Sequence, residues 1–246
     1  MVSSSHWMAP SQMPELAPNQ VHVWRVSVDE LLWSGSLERL GLTLSADERE
    51  RAQAYQFSSD TKRFVLARGL LRTILGGYLN VPAGQLAFRY GPYGKPLLAS
   101  ESFDRTIRFN VSHSDGLAVY ALSSDREVGV DIERLRPGLP VEEIARRFFS
   151  ADEVAELLAL PAQLRREAFF TCWTRKEAIL KARGNGLSLS LSDFSVSLNP
   201  IEPAALLWAR WDDREARRWS LKQLTLGGGY SGSLAAVGRQ WELLCW

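Results

Sequence analysis

The sequence has little cysteine, almost no net charge and no long apolar run, and each shortage removes a class of function. Cys172 and Cys245 are its two cysteines, with neither the paired spacing of a metal site nor the repeated pattern of a disulfide scaffold. The expected setting is a reducing cytoplasm. Lys and Arg total 29 against 28 Asp and Glu, a formal net charge of +1. A nucleic-acid binder needs a basic excess to meet the phosphate backbone, so no nucleic-acid partner is expected. No window approaches ~18 uninterrupted apolar residues, so no membrane association is expected. The Ser- and Pro-rich start lacks both a charged n-region and an apolar h-region, so no secretory leader is expected. No Walker loop is visible, nor a hydrolase-like Glu-rich helix motif.

What is present is a globular mixture, 46% hydrophobic and 23% charged, in 246 residues that suit one large domain or two small ones. Val21 to Val26 reads as an opening strand. At Ser45 a helix begins, with Glu48 three residues on as capping-box partner and acidic residues in the first turn. A second helix runs from Asp60 to Leu79, striped by Phe64, Leu71, Ile74 and Leu75. The same signature returns at Ser150-Ala151-Asp152-Glu153, 105 residues after Ser45, and the shift also relates Phe64 to Phe169 and Leu75 to Leu180. Strand-like segments follow each copy, at Leu86–Tyr90 and Phe109–Leu122, then at Phe194–Leu198 and Leu221–Val237. The expected fold is therefore α+β, with two similar halves rather than a solenoid of three or more units. The expected divisions are a flexible N-terminal segment (1–20), a first half (21–125) and a second half (126–246). A cleft between halves is a favoured ligand site.

Three stretches carry chemistry. In Gly129-Val130-Asp131-Ile132-Glu133, strand alternation sends Val130 and Ile132 into the core and leaves Asp131 and Glu133 side by side. Such a pair either ends an exposed strand or flanks a hard cation such as Mg²⁺. In Trp173-Thr174-Arg175-Lys176-Glu177-Ala178-Ile179-Leu180-Lys181, Trp173, Glu177 and Lys181 recur at i, i+4 and i+8, with Lys176 beside them. An exposed helix with a Glu177–Lys181 pair is the plainer reading, but it leaves the neighbouring Trp and Lys unexplained. In Tyr93-Gly94-Lys95-Pro96 and Asn110-Val111-Ser112-His113-Ser114, Gly94 permits close backbone approach to a ligand, and Lys95, Ser112 and His113 offer donors to a phosphate.

In this order and spacing, Gly-Lys-Pro, Ser-His-Ser, Gly-Val-Asp-Ile-Glu and Trp-Thr-x-Lys-Glu-Ala-x-x-Lys resemble the Sfp-type 4'-phosphopantetheinyl transferases, in the subgroup with Trp and Lys-Glu-Ala. The resemblance runs from about Leu44 to Gly186. It implies the family fold, two α+β halves about a pseudo-twofold axis with coenzyme A in the cleft, and an expected monomer. It implies that Asp131, Glu133 and Glu177 surround Mg²⁺ (or Mn²⁺ in its place), and that Lys176 and Lys181 reach the diphosphate. Ser112, His113 and Arg63 match the 3'-phosphate site, and Gly94, Lys95 and Pro96 the nucleotide-side loop. Arg51 matches a further basic position, although Glu48 stands where relatives carry lysine.

The implied reaction moves the phosphopantetheine arm of coenzyme A onto a serine of an apo acyl or peptidyl carrier protein, releasing 3',5'-ADP. Glu177 is the candidate base, with a metal-bound water as the alternative, and Lys176 and Lys181 neutralise charge as it develops. Arg146, Arg147, Arg165 and Arg166 are candidates for steering an acidic carrier, with Phe148 and Phe149 as an apolar patch. The rival readings are another Mg²⁺-dependent enzyme of nucleotide diphosphates and a non-catalytic coenzyme A-binding paralogue. The carrier, whether of fatty acid, polyketide or nonribosomal peptide synthesis, is not specified by these motifs.

Overall fold

The computed structural model describes residues 7–99, 106–184 and 189–246. The first half opens with β1 (Gln20–Ser27), the short helices α1 (Val28–Trp33) and α2 (Ser36–Gly41), then α3 (Ala46–Gln53) and the long α4 (Ser58–Leu79). A small hairpin, β2 (Phe88–Tyr90) with β3 (Pro96–Leu98), precedes the antiparallel pair β4 (Arg108–Ser114) and β5 (Leu117–Ser123). The second half repeats this order with β6 (Val128–Arg134), α5 (Val141–Phe148), α6 (Ala151–Ala159) and the long α7 (Ala162–Arg183). A hairpin of β7 (Phe194–Val196) and β8 (Leu206–Ala209) follows, then α8 (Glu215–Arg218), β9 (Trp219–Gln223) and β10 (Tyr230–Val237).

The sheets repeat as well. One runs β1-β5-β4 and the other β6-β10-β9, both antiparallel. The last strand, β11 (Glu242–Cys245), leaves its own half and adds in parallel to β1. Apolar residues gather in three clusters: one beneath α4, one beneath α7, and one between the sheets built from Val21, Val23, Val119, Val130, Ile132 and Leu234 among others.

The repeated helix starts have one physical cause. Ser45 and Ser150 each open a capping box, with their backbone amides bonded to Glu48 at 3.0 Å and Glu153 at 2.9 Å. Both glutamates are buried, and each also meets a cation from its long helix: Arg72 lies 2.6 Å from Glu48, and Lys176 lies 2.8 Å from Glu153. A group that caps one helix thus also ties it to the next.

The segment expected to be loose is fastened from Trp7 onward. Met8 donates its amide to the Cys245 carbonyl at 3.0 Å, the Trp7 indole donates to the Thr225 carbonyl at 2.6 Å, and Arg126 donates to the Pro18 carbonyl at 2.9 Å. Residues 1–6 of that segment lie outside the described residues. No helix among the described residues is long and apolar enough to cross a membrane.

Candidate active site

The join between the sheets builds the centre of the site. Strands β4 and β6 belong to different sheets, and polar side chains take over the linking role of a backbone ladder. Asn110 Oδ1 accepts the Val130 amide at 2.9 Å, Ser112 Oγ accepts the Ile132 amide at 3.2 Å, and Ser114 Oγ accepts the Arg134 amide at 3.1 Å. The two-residue period on each side keeps the rungs in register. The same hydroxyls then donate to the carboxylates: Ser112 to Asp131 Oδ1 at 3.0 Å, and Ser114 to Glu133 Oε2 at 2.8 Å.

Helix α7 closes over this strand because Gly129 lets it. A Cβ there would fall on the Ala178 carbonyl oxygen and the Ala182 amide, and 2.8 Å from Ala182 Cα. With no side chain in the way, the helix settles on β6, and the Lys181 ammonium lies 2.6 Å from Asp131 Oδ1 and 3.0 Å from Ser112 Oγ. Burial raises the proton affinity of Asp131, and Glu133 adds to this while Lys181 opposes it. Burial likewise raises that of Glu177, with Asp131 and then Glu133 pushing the same way. The three carboxylates therefore share one field. Asp131 Oδ2 is buried without a hydrogen-bond partner. No group of three or more His, Cys, Asp or Glu side chains among the described residues is gathered tightly enough to hold a metal ion. In this arrangement Lys181 supplies the positive charge beside Asp131.

Two cavities lie along the same surface. The larger, about 430 Å³, is lined by Arg51, Arg63, Phe64, Gly94, Pro96 and His113 among others, with Asp60 and Asp115 at its walls. The second, about 270 Å³, is lined by Gly94, Lys95, Pro96, Asn110, Glu177 and Lys181. Gly94, Pro96 and Val111 line both, so the two form neighbouring stretches of one groove. Gly94 sits at φ +78°, the left-handed conformation that favours glycine, and it turns the loop between them. His113 is held below its ordinary proton affinity, first by burial and then by the positive charges of Lys181 and Arg63. A positive field at that end suits an anion. On the other side of Glu133, a smaller apolar recess of about 140 Å³ is lined by Arg136, Leu139, Phe169, Phe170 and Trp173.

The structure thus gathers Asp131, Glu133, Glu177 and Lys181 at one place, and Arg51, Arg63, Gly94, Pro96 and His113 around the neighbouring cavity. Three expectations need correction. Lys176 is fully buried on another side of α7, paired with Glu153 and donating to the Leu191 carbonyl at 2.7 Å. One helical residue turns the side chain through about 100°, so Lys176 and Glu177 serve different faces, and Lys176 belongs to the core rather than to the diphosphate. Replacing it by methionine strands the buried Glu153 carboxylate, and a loss of about 3 kcal/mol is expected in urea unfolding. Ser112 and His113, read together as phosphate donors, point to opposite faces of β4, and Ser112 is taken up by Asp131, Ile132 and Lys181. Arg165, read as a carrier contact, donates to the Leu158 and Leu160 carbonyls at 2.8 and 2.9 Å and to Glu142 at 2.7 Å, closing the end of α6. Glu48, the departure from the family pattern, is likewise an internal anchor.

Asn110, Ser114 and Gly129 are further residues that build the site, beyond the candidates that the sequence motifs offer. The signal was available for the first two, since Asn110, Ser112 and Ser114 alternate with larger residues at strand period. Nothing local marks Gly129, whose reason is the helix laid across it.

Residues 127–235 match the family model described as the 4'-phosphopantetheinyl transferase superfamily, and residues 31–125 match that of the 4'-phosphopantetheinyl transferase N-terminal region. The 4'-phosphopantetheinyl transferase HetI of a Nostoc species is 38% identical over 240 residues, covering 98% of this chain and 97% of the relative. The transferase psf-1 of Bacillus pumilus is 36% identical, covering 73% of each chain. Sfp of Bacillus subtilis is 31% identical, covering 72% of this chain and 76% of the relative.

Proposed function

Since the chain belongs to the 4'-phosphopantetheinyl transferase superfamily, we propose that it transfers the 4'-phosphopantetheine arm of coenzyme A to a serine of an apo acyl or peptidyl carrier protein. The observation that most supports this reading is the continuity of the groove. An arginine- and histidine-lined cavity adjoins a second cavity bordered by Glu177 and by Lys181, the partner of Asp131, which suits a ligand carrying one phosphate apart from its diphosphate. In this reading the division into halves at 21–125 and 126–246 is functional, the first half supplying most of the nucleotide end and the second the reacting end.

Asp131, Glu133 and Glu177, which do not form a ready-made metal site in this arrangement, would hold a divalent cation, Mg²⁺ or Mn²⁺, once drawn together around it. Their all-oxygen donor set and the orphaned, buried Asp131 Oδ2 fit a hard ion. Such an ion supplies Lewis-acid neutralisation of diphosphate charge when bound. Arg51, Arg63 and His113 would bind the 3'-phosphate, and Gly94 and Pro96 would flank the nucleotide. Glu177 faces the second cavity with its basicity raised, which suits a group that takes the proton of the incoming serine hydroxyl. The serine oxygen bonds to the phosphorus that carries pantetheine, the bond from that phosphorus to the bridging oxygen breaks, and 3',5'-ADP leaves with the electron pair. Lys181, already set beside Asp131, neutralises charge on the diphosphate as it accumulates.

Intact-mass spectrometry of an apo carrier mixed with the protein, coenzyme A and Mg²⁺ tests the reading. The expected result is a gain of ~340 Da on the carrier, abolished by EDTA, together with one 3',5'-ADP per carrier modified. Release of 3',5'-ADP without a carrier would point instead to hydrolysis. Coenzyme A binding with no transfer to carriers of several pathways would leave a binding paralogue.

A further inference from the structure

We infer that Lys95 is a positioning residue that clamps the end of α7, and with it Lys181, across the two halves of the molecule, rather than a ligand of the substrate's phosphates. The inference rests on the transferase reading for its kinetic part and on the structure alone for the clamp.

Lys95 sits in the turn between β2 and β3, in the first half. Its side chain crosses to the second half, where the ammonium donates to the Lys181 carbonyl at 2.7 Å and the Ala182 carbonyl at 3.2 Å. These belong to the final turn of α7, whose carbonyls have no amide partners further along the helix. A cation at that end also meets the negative pole of the helix dipole. The helix stops at Gly184, φ +74°, where a Cβ would stand 3.6 Å from Lys95 Cδ, so the lysine stem lies along the cap. Glu127 Oε2 lies 3.9 Å from the ammonium on the third side. The ammonium's donors are thus turned to the protein. The cationic side chains around the larger cavity are Arg51, Arg63 and Arg68, and Lys95 is not among its lining residues; Lys95 borders only the second cavity, where its ammonium is already bonded to the Lys181 and Ala182 carbonyls.

The consequence runs through Lys181. Its carbonyl is one of the two that Lys95 holds, and its ammonium bonds Asp131 and Ser112. Releasing the last turn allows the Lys181 side chain to leave the carboxylates without changing the nucleotide-binding residues.

The test compares Lys95→Met, which keeps the stem and removes the donors, with Lys95→Arg, which keeps charge and donors. Hydrogen exchange is followed at residues 180–184, and coenzyme A affinity is measured by calorimetry without metal. For Lys95→Met, exchange at the helix end is expected to quicken about tenfold with the rest of the molecule unchanged. Turnover is expected to fall about tenfold while the coenzyme A dissociation constant moves less than about twofold. Lys95→Arg is expected to restore both to within about threefold. Unchanged exchange at the helix end overturns the clamp. A tenfold loss of coenzyme A affinity, whatever the turnover, restores the phosphate-ligand role. Because exchange needs no turnover, a failure of the transferase reading in the carrier assay leaves the clamp separately decidable.

Discussion

Replacing Asp131 by asparagine is expected to lower turnover by about 10²–10³-fold while the folded structure survives. Asp131 is 4% exposed as a residue, and its carboxylate holds the Lys181 ammonium at 2.6 Å and leaves one oxygen without a protein partner. Asparagine preserves the shape and the acceptor for Ser112 but removes the charge that Lys181 pairs with and that the proposed cation requires. The stability change has the opposite tendency. Burial raises the folded-state pKa of Asp131 above its ordinary value, so the native state binds that proton more tightly than the unfolded chain does. The wild type therefore loses stability as pH rises through the unfolded carboxylate range near ~3.9 and up to the raised folded pKa. The asparagine variant, which cannot ionise, escapes that loss. Steady-state assays with coenzyme A and a carrier, paired with thermal unfolding in EDTA across that pH range, check both halves. Near-normal turnover would remove Asp131 from the proposed metal site.

Gly129→Ala is expected to cost roughly 3 kcal/mol of stability and about 10²-fold in turnover. The added carbon meets backbone atoms of α7 at Ala178 and Ala182, which have no rotamer to move into, so the helix itself must lift from β6. Glu177 and Lys181 ride on that helix and leave the carboxylates with it. Gly41→Ala is the control. There the nearest atom is Val65 Cγ1 at 3.6 Å, and an alanine within the helix is expected to be neutral or mildly stabilising. Urea unfolding of the two variants distinguishes a packing cost specific to Gly129 from a general intolerance of methyl groups. Equal stability of the two would mean that α7 is not held by that close approach.

Much of this arrangement is legible in local periodicity. Strand alternation alone pairs Asp131 with Glu133 and sends Val130 and Ile132 inward, as the inter-sheet core contains them. The capping boxes at Ser45 and Ser150 mark two helix starts whose recurrence reveals the duplicated halves. The short helices α1, α2 and α5 and the strand β11 carried weaker signals, because few residues repeat before each element ends. β11 in particular is defined by its pairing with β1 at the far end of the chain.

Local repeats are enough to say which residue types stand on a common stripe: Trp173 with Glu177 and Lys181 along one helix, Asn110 with Ser112 and Ser114 along one strand. That much follows from backbone repeats of 3.6 and 2 residues, which are the same wherever the element is placed. What each stripe faces depends on how the elements pack. Packing of α7 on Gly129 turned Glu177 and Lys181 to the carboxylates and Lys176 to Glu153. The join of β4 to β6 drew Ser112 to Asp131 and left His113 beside Arg63. The orphaned carbonyls at the end of α7 drew the Lys95 ammonium to them. Ion pairs and hydrogen bonds form between whatever groups the fold brings within about 3 Å, and that proximity between distant segments is not encoded in any local repeat.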